Sequence, residues 1–439
     1  MNAIATIAAP AATALADRAA FAAAIEIAAR ATATRNTYPI LANVRVRGDG
    51  DRLFLTTTDM DVMIDVCVAA PADPALDFTV PAALLKDLVK NAPKAADMIA
   101  LSAPENAKLE SVIDYGKPVL DAMGGHVKDA DGNIKYKSVD VLKYGPDDKA
   151  VVEFGKVAYR VTPLPSKDFP VLKGPDAGAE TFRAFTIGGA ELRELFDSVD
   201  FAISREATRY YLCGIYLHVT RDQMLRAVAT DGHRLARHEI DMPYTADGMP
   251  GIIIPESTVR LIQKLVAPSK AKKGEPAIWP KVKIELTETH IRFMFGAVTI
   301  TSKLVEGTYP DYERVIPKGN AKLATFELAD FTEGLAAVKV IASDNGGKAV
   351  KLTMAGGDCI LTVTNPDHGE AATTIPVIRD GFEGYEFEIG FNLGYLATIA
   401  EYAAMNGGAF TMAFSDAGGP AVVTGGRKGW LGILMPMRV

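Results

Sequence analysis

"FTVPAALLKDLVKNA" (78–92), "IIIPESTVRLIQKLVA" (252–267) and "FEIGFNLGYLATIAEYA" (387–403) share one arrangement, a short apolar run of strand character leading into an amphipathic helix. In the first two a proline stands at the junction, where its missing N–H costs least, and Glu256 or the serine after it suits a helix start. The third has glycine in place of that proline. Upstream of each lies another amphipathic segment, at "RAAFAAAIEIAARA" (18–31), "GGAELRELFDSVDFAI" (188–203) and "LADFTEGLAAVKVIA" (328–342), each followed by alternating apolar residues that read as strands. A unit of two helices and several antiparallel strands thus occurs three times. The pattern predicts an α+β protein of three similar domains, spanning 1–178, 179–321 and 322–439.

The first unit is longer than the others. Its excess lies between Ala103 and Glu153, a polar, glycine-bearing, weakly periodic stretch that reads as an insertion looped out of a domain whose core closes without it. Strands resume in "AVVEFGKVAYRVTPL" (150–164).

Of 439 residues, 49% are apolar and 23% charged, the balance of a folded protein. The net charge of −7 argues against a surface that coats nucleic acid everywhere, but leaves room for positive charge confined to one face. Cys67, Cys213 and Cys359 are dispersed and form no CxxC or metal-ligand cluster, which fits reduced thiols in a cytosolic protein. The alanine-rich start lacks a basic n-region and is interrupted by Pro10, Asp17 and Arg18, so neither a signal peptide nor a membrane span is expected, and the first ten or so residues read as a frayed extension.

"VATDGHRLAR" (228–237) gathers an acid, a histidine and two arginines. An enzyme reading makes His233 a general base oriented by Asp231, with Arg234 or Arg237 holding an anionic substrate, as in a small-molecule hydrolase or lyase. Against it, Asp231-Gly232 is a turn signal, and no nucleophile elbow, P-loop, HExxH or dinucleotide fingerprint accompanies it. His233 and His238 have no cysteine pair before them to complete a zinc site. Asp59, Asp61 and Asp65 in "TTDMDVMID" (57–65) are expected on one solvated strand face rather than around a metal. No catalytic residue, metal or cofactor is therefore assigned.

The motifs "REATRYYLCGIYLHV" (205–219), "VATDGHRLAR" (228–237), "EGTYPDYERVIPKG" (306–319) and "LMPMRV" (434–439), supported by "YPILANVRV" (38–46), "LFLTTTDMDVMI" (53–64), "PSKDFPVL" (165–172) and "FNLGYL" (391–396), run in the order found in one family. The chain resembles the bacterial DNA polymerase III beta subunit, the replicative sliding clamp. The resemblance implies a non-enzymatic processivity factor: a head-to-tail homodimer whose six clamp domains ring duplex DNA without sequence specificity, helices inside and strands outside. The implied partners are the polymerase III alpha subunit, an ATP-driven clamp loader, and other polymerases and repair proteins with clamp-binding peptides. A cytoplasmic, nucleoid-associated location follows, with no membrane partner; a specialised clamp paralogue serving other partners is the alternative.

For DNA contact the resemblance implies Arg35, Arg209, Tyr210 and Tyr211. Spacing adds Lys86 and Lys90 (with Lys94 beyond) on one helix and Arg260 with Lys264 on another, each set able to share a face and meet phosphates. The resemblance further implies a hydrophobic groove that receives a linear peptide. Its residues in this chain are Leu212, Thr230, Gly232, His233, Arg234 and Leu235, then Pro310, Arg314 and Val315, and finally Leu434, Met435, Pro436, Met437, Arg438 and Val439. Unbranched methionines suit such a groove because they adapt to different Leu or Phe side chains, and the arginines can hydrogen-bond peptide carbonyls or a Gln. "SDAGGPAVV" (415–423) departs from the family pattern beside that groove.

Overall fold

The computed structural model describes residues 12–32, 38–104, 108–119, 126–128, 134–143, 148–269, 276–342, 349–382, 386–405 and 407–439. The chain divides into two compact units, Met1–Gly174 with Arg292–Ser302, and Pro175–Ile291 with Lys303–Val439.

In the first unit, helix α1 (Arg18–Ala28) buries Phe21, Ala24, Ile25 and Ala28, and helix α2 (Ala82–Lys90) buries Ala82, Leu85 and Val89. These spacings of three and four residues place each set on one face, and the two helices pack together. Asp17 caps α1 by accepting a hydrogen bond from the Ala20 N–H at 2.8 Å. Pro81 immediately precedes α2, as the junction proline predicts. The strands are antiparallel, running from Val157–Val161 through Ala150–Phe154, Met98–Ser102 and Thr13–Asp17 to Val62–Ala72, which also pairs with Val298–Lys303.

The strand Met98–Ser102 pairs directly with Ala150–Phe154, Ser102 opposite Val151, so the sheet closes across the insertion. The insertion itself is not loop alone. Lys108–Pro118 and Tyr136–Lys143 form a separate two-stranded antiparallel ribbon, which its weak alternation did not announce.

The aspartate cluster differs from the strand-face expectation. Asp59 and Asp61 lie in a turn in which Met60 has φ of 80° and the Asp59 carboxylate accepts from the N–H groups of Asp61 and Val62. Asp65 alone is in the strand, accepting from the Thr56 hydroxyl, and burial pushes its carboxyl up. The local Asp-turn competes successfully with the strand because its side chain supplies the acceptor that the ladder lacks there.

The second unit carries two further helix pairs: α3 (Gly189–Asp197) with α4 (Glu256–Leu265), and α5 (Leu328–Lys339) with α6 (Leu393–Ala404). Pro255 precedes α4, but the corresponding position before α6 is Asn392 rather than a glycine. Its side chain accepts from the Tyr395 N–H at 3.1 Å, a cap that replaces the proline. A nine-stranded antiparallel sheet runs Ile252–Pro255, Gly214–Val219, Met224–Thr230, Arg234–Asp241, Trp430–Leu434, Ala421–Gly425, Ala409–Phe414, Lys322–Glu327, Ile378–Asp380. A four-stranded sheet runs Gly369–Pro376, Asp358–Asn365, Ala349–Ala355, Phe387–Asn392. A phenylalanine-rich core, including Phe326, Phe331, Phe391, Phe410 and Phe414, fills the space beneath α5 and α6.

Candidate peptide groove and nucleic-acid face

The stretch 228–237 is a hairpin. Gly232 has φ of 89°, a conformation glycine adopts without steric cost, and Asp231 fastens the turn. One Asp231 oxygen accepts from the N–H groups of His233 (2.9 Å) and Arg234 (3.0 Å), and the other takes the Arg234 Nε–H at 3.0 Å. The carboxylate is thus committed to its own turn and to Arg234. The His233 ring stacks instead on Tyr395 of α6, centroids 6.1 Å apart. The Arg234 guanidinium lies over the same tyrosine at 4.4 Å and over Phe201 at 5.3 Å. Arg234 is therefore largely used within the fold rather than offered freely to a ligand.

Strand Arg234–Asp241 pairs with Trp430–Leu434, Arg234 opposite Leu434. Beyond that strand the chain is tied twice: Met435 N–H donates to the His233 carbonyl and Met437 N–H to the Gly390 carbonyl, both at 2.9 Å. Met435, Met437 and Val439 stay exposed on this segment, while Leu434 is buried. Leu212, Leu235, Tyr309, Tyr312 and Ile433 form one buried cluster. Leu212 and Leu235 belong to this cluster and Leu434 to the core beneath α5 and α6, whereas Pro310, Arg314, Val315, Pro436 and Arg438 lie at or near the surface. The Thr230 hydroxyl donates to the Arg234 carbonyl at 2.8 Å and accepts from Gly232 N–H, a second tie across the turn.

The segment bearing Pro310, Arg314 and Val315 is rooted by Tyr309 and Tyr312. Tyr309 stacks on Tyr216 with centroids 4.7 Å apart. The Tyr312 hydroxyl lies 2.9 Å from both Arg226 Nη1 and His218 Nε2. Burial pushes the Tyr309 and Tyr312 phenols up and the His218 imidazole down. On the hairpin Ala409–Phe414/Ala421–Gly425, Asp416 accepts from the Gly418 and Gly419 N–H groups at 2.8 Å, bonds that hold its carboxyl below the usual range.

A cleft of about 650 Å³ opens beside His233 and Arg234, lined also by Asp200, Phe201, Arg205, Arg209, Arg260, Tyr395 and Tyr402. Arg209, Tyr210 and Tyr211 lie not on a strand but in the 3-10 turn Ala207–Leu212. Arg209 donates from Nε to Glu206 at 2.7 Å; Tyr210 is exposed, and Tyr211 packs partly on the buried cluster. Arg260 and Lys264 share the exposed side of α4, Arg260 bonding Glu256 at 2.9 Å. On α2, Lys90 is exposed and Lys86 pairs with Glu26 of α1 at 2.9 Å. Arg35 lies outside the described residues. Tyr395, Tyr402, Phe201 and Asp200 were not singled out from sequence; Tyr395 sits inside "FNLGYL", but helix periodicity alone does not say that it meets His233.

Among the described residues no group of three or more His, Cys, Asp or Glu side chains could hold a metal, and no helix is long and apolar enough to cross a membrane.

Three family models match: the DNA polymerase III beta subunit N-terminal domain over 15–123, central domain over 186–311 and C-terminal domain over 313–438. The beta sliding clamp of Caulobacter vibrioides is 32% identical over 409 residues, 92% of this chain and 94% of its own. The structure of a sliding clamp (DNA polymerase III subunit beta) from Bartonella birtlesii, bound to griselimycin, is 34% identical with TM-score 0.79, covering 98% of this chain and 100% of that one. The Pseudomonas aeruginosa beta subunit superposes with TM-score 0.77 at 27% identity, covering 97% and 100%. With its three similar α+β clamp domains, the chain belongs to the DNA polymerase III beta subunit family and is a sliding clamp, a non-enzymatic processivity factor that encircles DNA and tethers polymerase and repair proteins.

Proposed function

We propose that two copies join head to tail into a ring of six domains, bounded in each chain at 1–178, 179–321 and 322–439, and that the groove around His233 docks short linear peptides of the polymerase III alpha subunit, the clamp loader and repair polymerases. The observation that carries the groove is the segment Met435–Val439, bonded to His233 and Gly390 while leaving Met435, Met437 and Val439 exposed over a buried apolar floor. Exposed, unbranched apolar side chains above a rigid floor suit a peptide whose anchors vary between Leu and Phe.

Sheet edges support the dimer. Val157–Val161 ends the sheet of the first unit and Gly369–Pro376 ends the four-stranded sheet of the second, and bare edges of unlike domains are what a head-to-tail closure consumes. Exposed Val340, just after α5, adds an apolar contact of the kind an interface core uses.

Duplex DNA presents about one phosphate charge per 1.7 Å of axis, so Lys86, Lys90, Arg209, Arg260 and Lys264 can hold it without reading bases, with Arg35, Tyr210 and Tyr211 completing the contact. Loading falls to a separate ATP-driven opener in the cytoplasm at the nucleoid, since the sequence has no P-loop. The test is retention on circular against linearised duplex after incubation with a loader and ATP. Persistence on circles with escape from linear ends is expected; equal retention on both refutes topological linkage.

A further inference from the structure

The part of the groove formed by Pro310, Arg314 and Val315 lies on a segment that contributes no strand to either sheet, so something must fix where it stands. Arg226 does this from 86 residues away in sequence. It sits in the middle of Met224–Thr230, paired in register with Glu239 on the neighbouring strand, and only 7% of it is exposed. Its Nε donates to Glu239 at 2.7 Å, and its Nη1 donates to the Tyr312 hydroxyl at 2.9 Å and to Glu313 at 2.8 Å. The last two acceptors begin the 3-10 turn Tyr312–Val315, whose remaining residues, Arg314 and Val315, face outward.

We infer that Arg226 is the positioning residue for this wall of the groove: its planar fork locks the turn Tyr312–Val315 to the sheet and so sets the spacing between Val315 and Met435. The inference rests on the proposed peptide groove. A guanidinium is needed because one rigid group must meet a carboxylate along its own sheet and two acceptors on the turn at once; an ammonium can supply the charge but not the fork. His218 and Tyr216 complete the seat, His218 at 2.9 Å from the same hydroxyl and Tyr216 stacked on Tyr309. Arg226 and Tyr312 are buried, Tyr216, His218 and Glu239 are half-buried, and Glu313 is exposed, so Arg226 itself acts on a peptide through the wall it holds.

The experiment uses the full chain with Arg226→Lys and Tyr312→Phe, singly and together. The probe is a synthetic peptide in which Leu and Phe follow a Gln, read by fluorescence anisotropy well below the melting temperature. The expected result is Kd raised about tenfold for each single variant, the double variant falling well short of a hundredfold because both cut the same link. Amide exchange without peptide should quicken at 312–316 while the strand Arg234–Asp241 keeps its protection. Unchanged affinity and unchanged exchange in variants of a chain whose wild type binds the peptide would overturn the inference. Lowered melting with normal Kd would do the same, reducing Arg226 to an ordinary buried ion. If the wild type itself fails to bind while exchange at 312–316 still quickens, the groove reading fails and the mechanical link stands.

Discussion

Replacing Gly390 by alanine should detach the groove's methionine segment without unfolding the protein. A β-carbon at 390 would come within 2.5 Å of the Met437 carbonyl oxygen and would overlap the Val439 side chain. One side must yield. The strand Phe387–Asn392 is locked along its length to Ala349–Ala355, whereas Met437 is held there by one N–H bond of 2.9 Å to the Gly390 carbonyl. The segment therefore moves, losing a hydrogen bond worth about 1 kcal/mol net. Displacing Met437 and Val439 removes about 40 Å² of apolar contact from a bound peptide, about 1 kcal/mol more at 25 cal/mol per Å². The hydrogen bond is lost from the free and the bound protein alike, so only the contact enters binding, and Kd for the peptide should rise about fivefold. Fluorescence anisotropy measures it, with a thermal melt beside it that should move by only a few degrees. A Kd within twofold of wild type, or a melt lowered as far as a core variant's, would refute the reasoning.

Protonation of His238 provides a second test. It is 2% exposed, and burial, then the neighbouring Arg427, push its imidazole down to about 4, with Glu239 opposing. The Glu194 carboxylate is 3.7 Å from both His238 and Arg427, beyond hydrogen-bond reach. The unfolded chain takes up this proton first, so stability is full above the ordinary value of 6.5 and falls as pH drops towards 4, by about 3 kcal/mol in all. Denaturant titrations of His238→Leu between pH 7.5 and 4.5 should show that slope removed; an unaltered slope would place it elsewhere. Excising 105–147 should leave the first unit folded, because Ser102 and Val151 already pair. Shortening that loop about tenfold lowers its closure cost by ~2 kcal/mol, so a melting temperature that falls sharply would show that the insertion braces the core. Replacing Arg35 and Arg209 together by alanine should weaken retention on circular DNA, most at low salt, while peptide Kd stays put; unchanged retention counts against both as DNA contacts.

Among the described residues the six helices were legible because each carries its buried residues on one face; Pro81 and Pro255 mark the starts of α2 and α4 and Asp17 and Asn392 cap α1 and α6, whereas Gly188 and Glu327, before α3 and α5, give no side-chain cap. Phe21, Ala24, Ile25 and Ala28 of α1, or Val259 and Ile262 of α4, show that periodicity in burial. The insertion ribbon was not legible, since its alternation is weak and the core strands on either side pair without it. "RYYL" carries no periodicity that marks a 3-10 turn; local hydrogen bonding fixes the turn Ala207–Leu212, with Arg209 N–H returning to the Glu206 carbonyl and Cys213 N–H to the Tyr210 carbonyl. For the proposed groove, the family resemblance singled out the hairpin, the 310–315 segment and the methionines. The aromatic partners on α6, Tyr395 and Tyr402, depend on how two helix pairs and a shared sheet meet, which no local pattern records.

The register of Arg234–Asp241 against Trp430–Leu434 makes one nine-stranded sheet out of strands from both halves of the second unit. A sheet joined by a full ladder does not hinge at the join, so in the proposed groove the hairpin and the methionine segment would meet a peptide already in place. Little ordering is left to oppose binding, and encounter needs no slow opening of the site. Successive partners then exchange according to how fast the resident peptide leaves and how many copies of each rival are near. Rank among enzymes sharing the ring becomes a matter of residence time and local abundance.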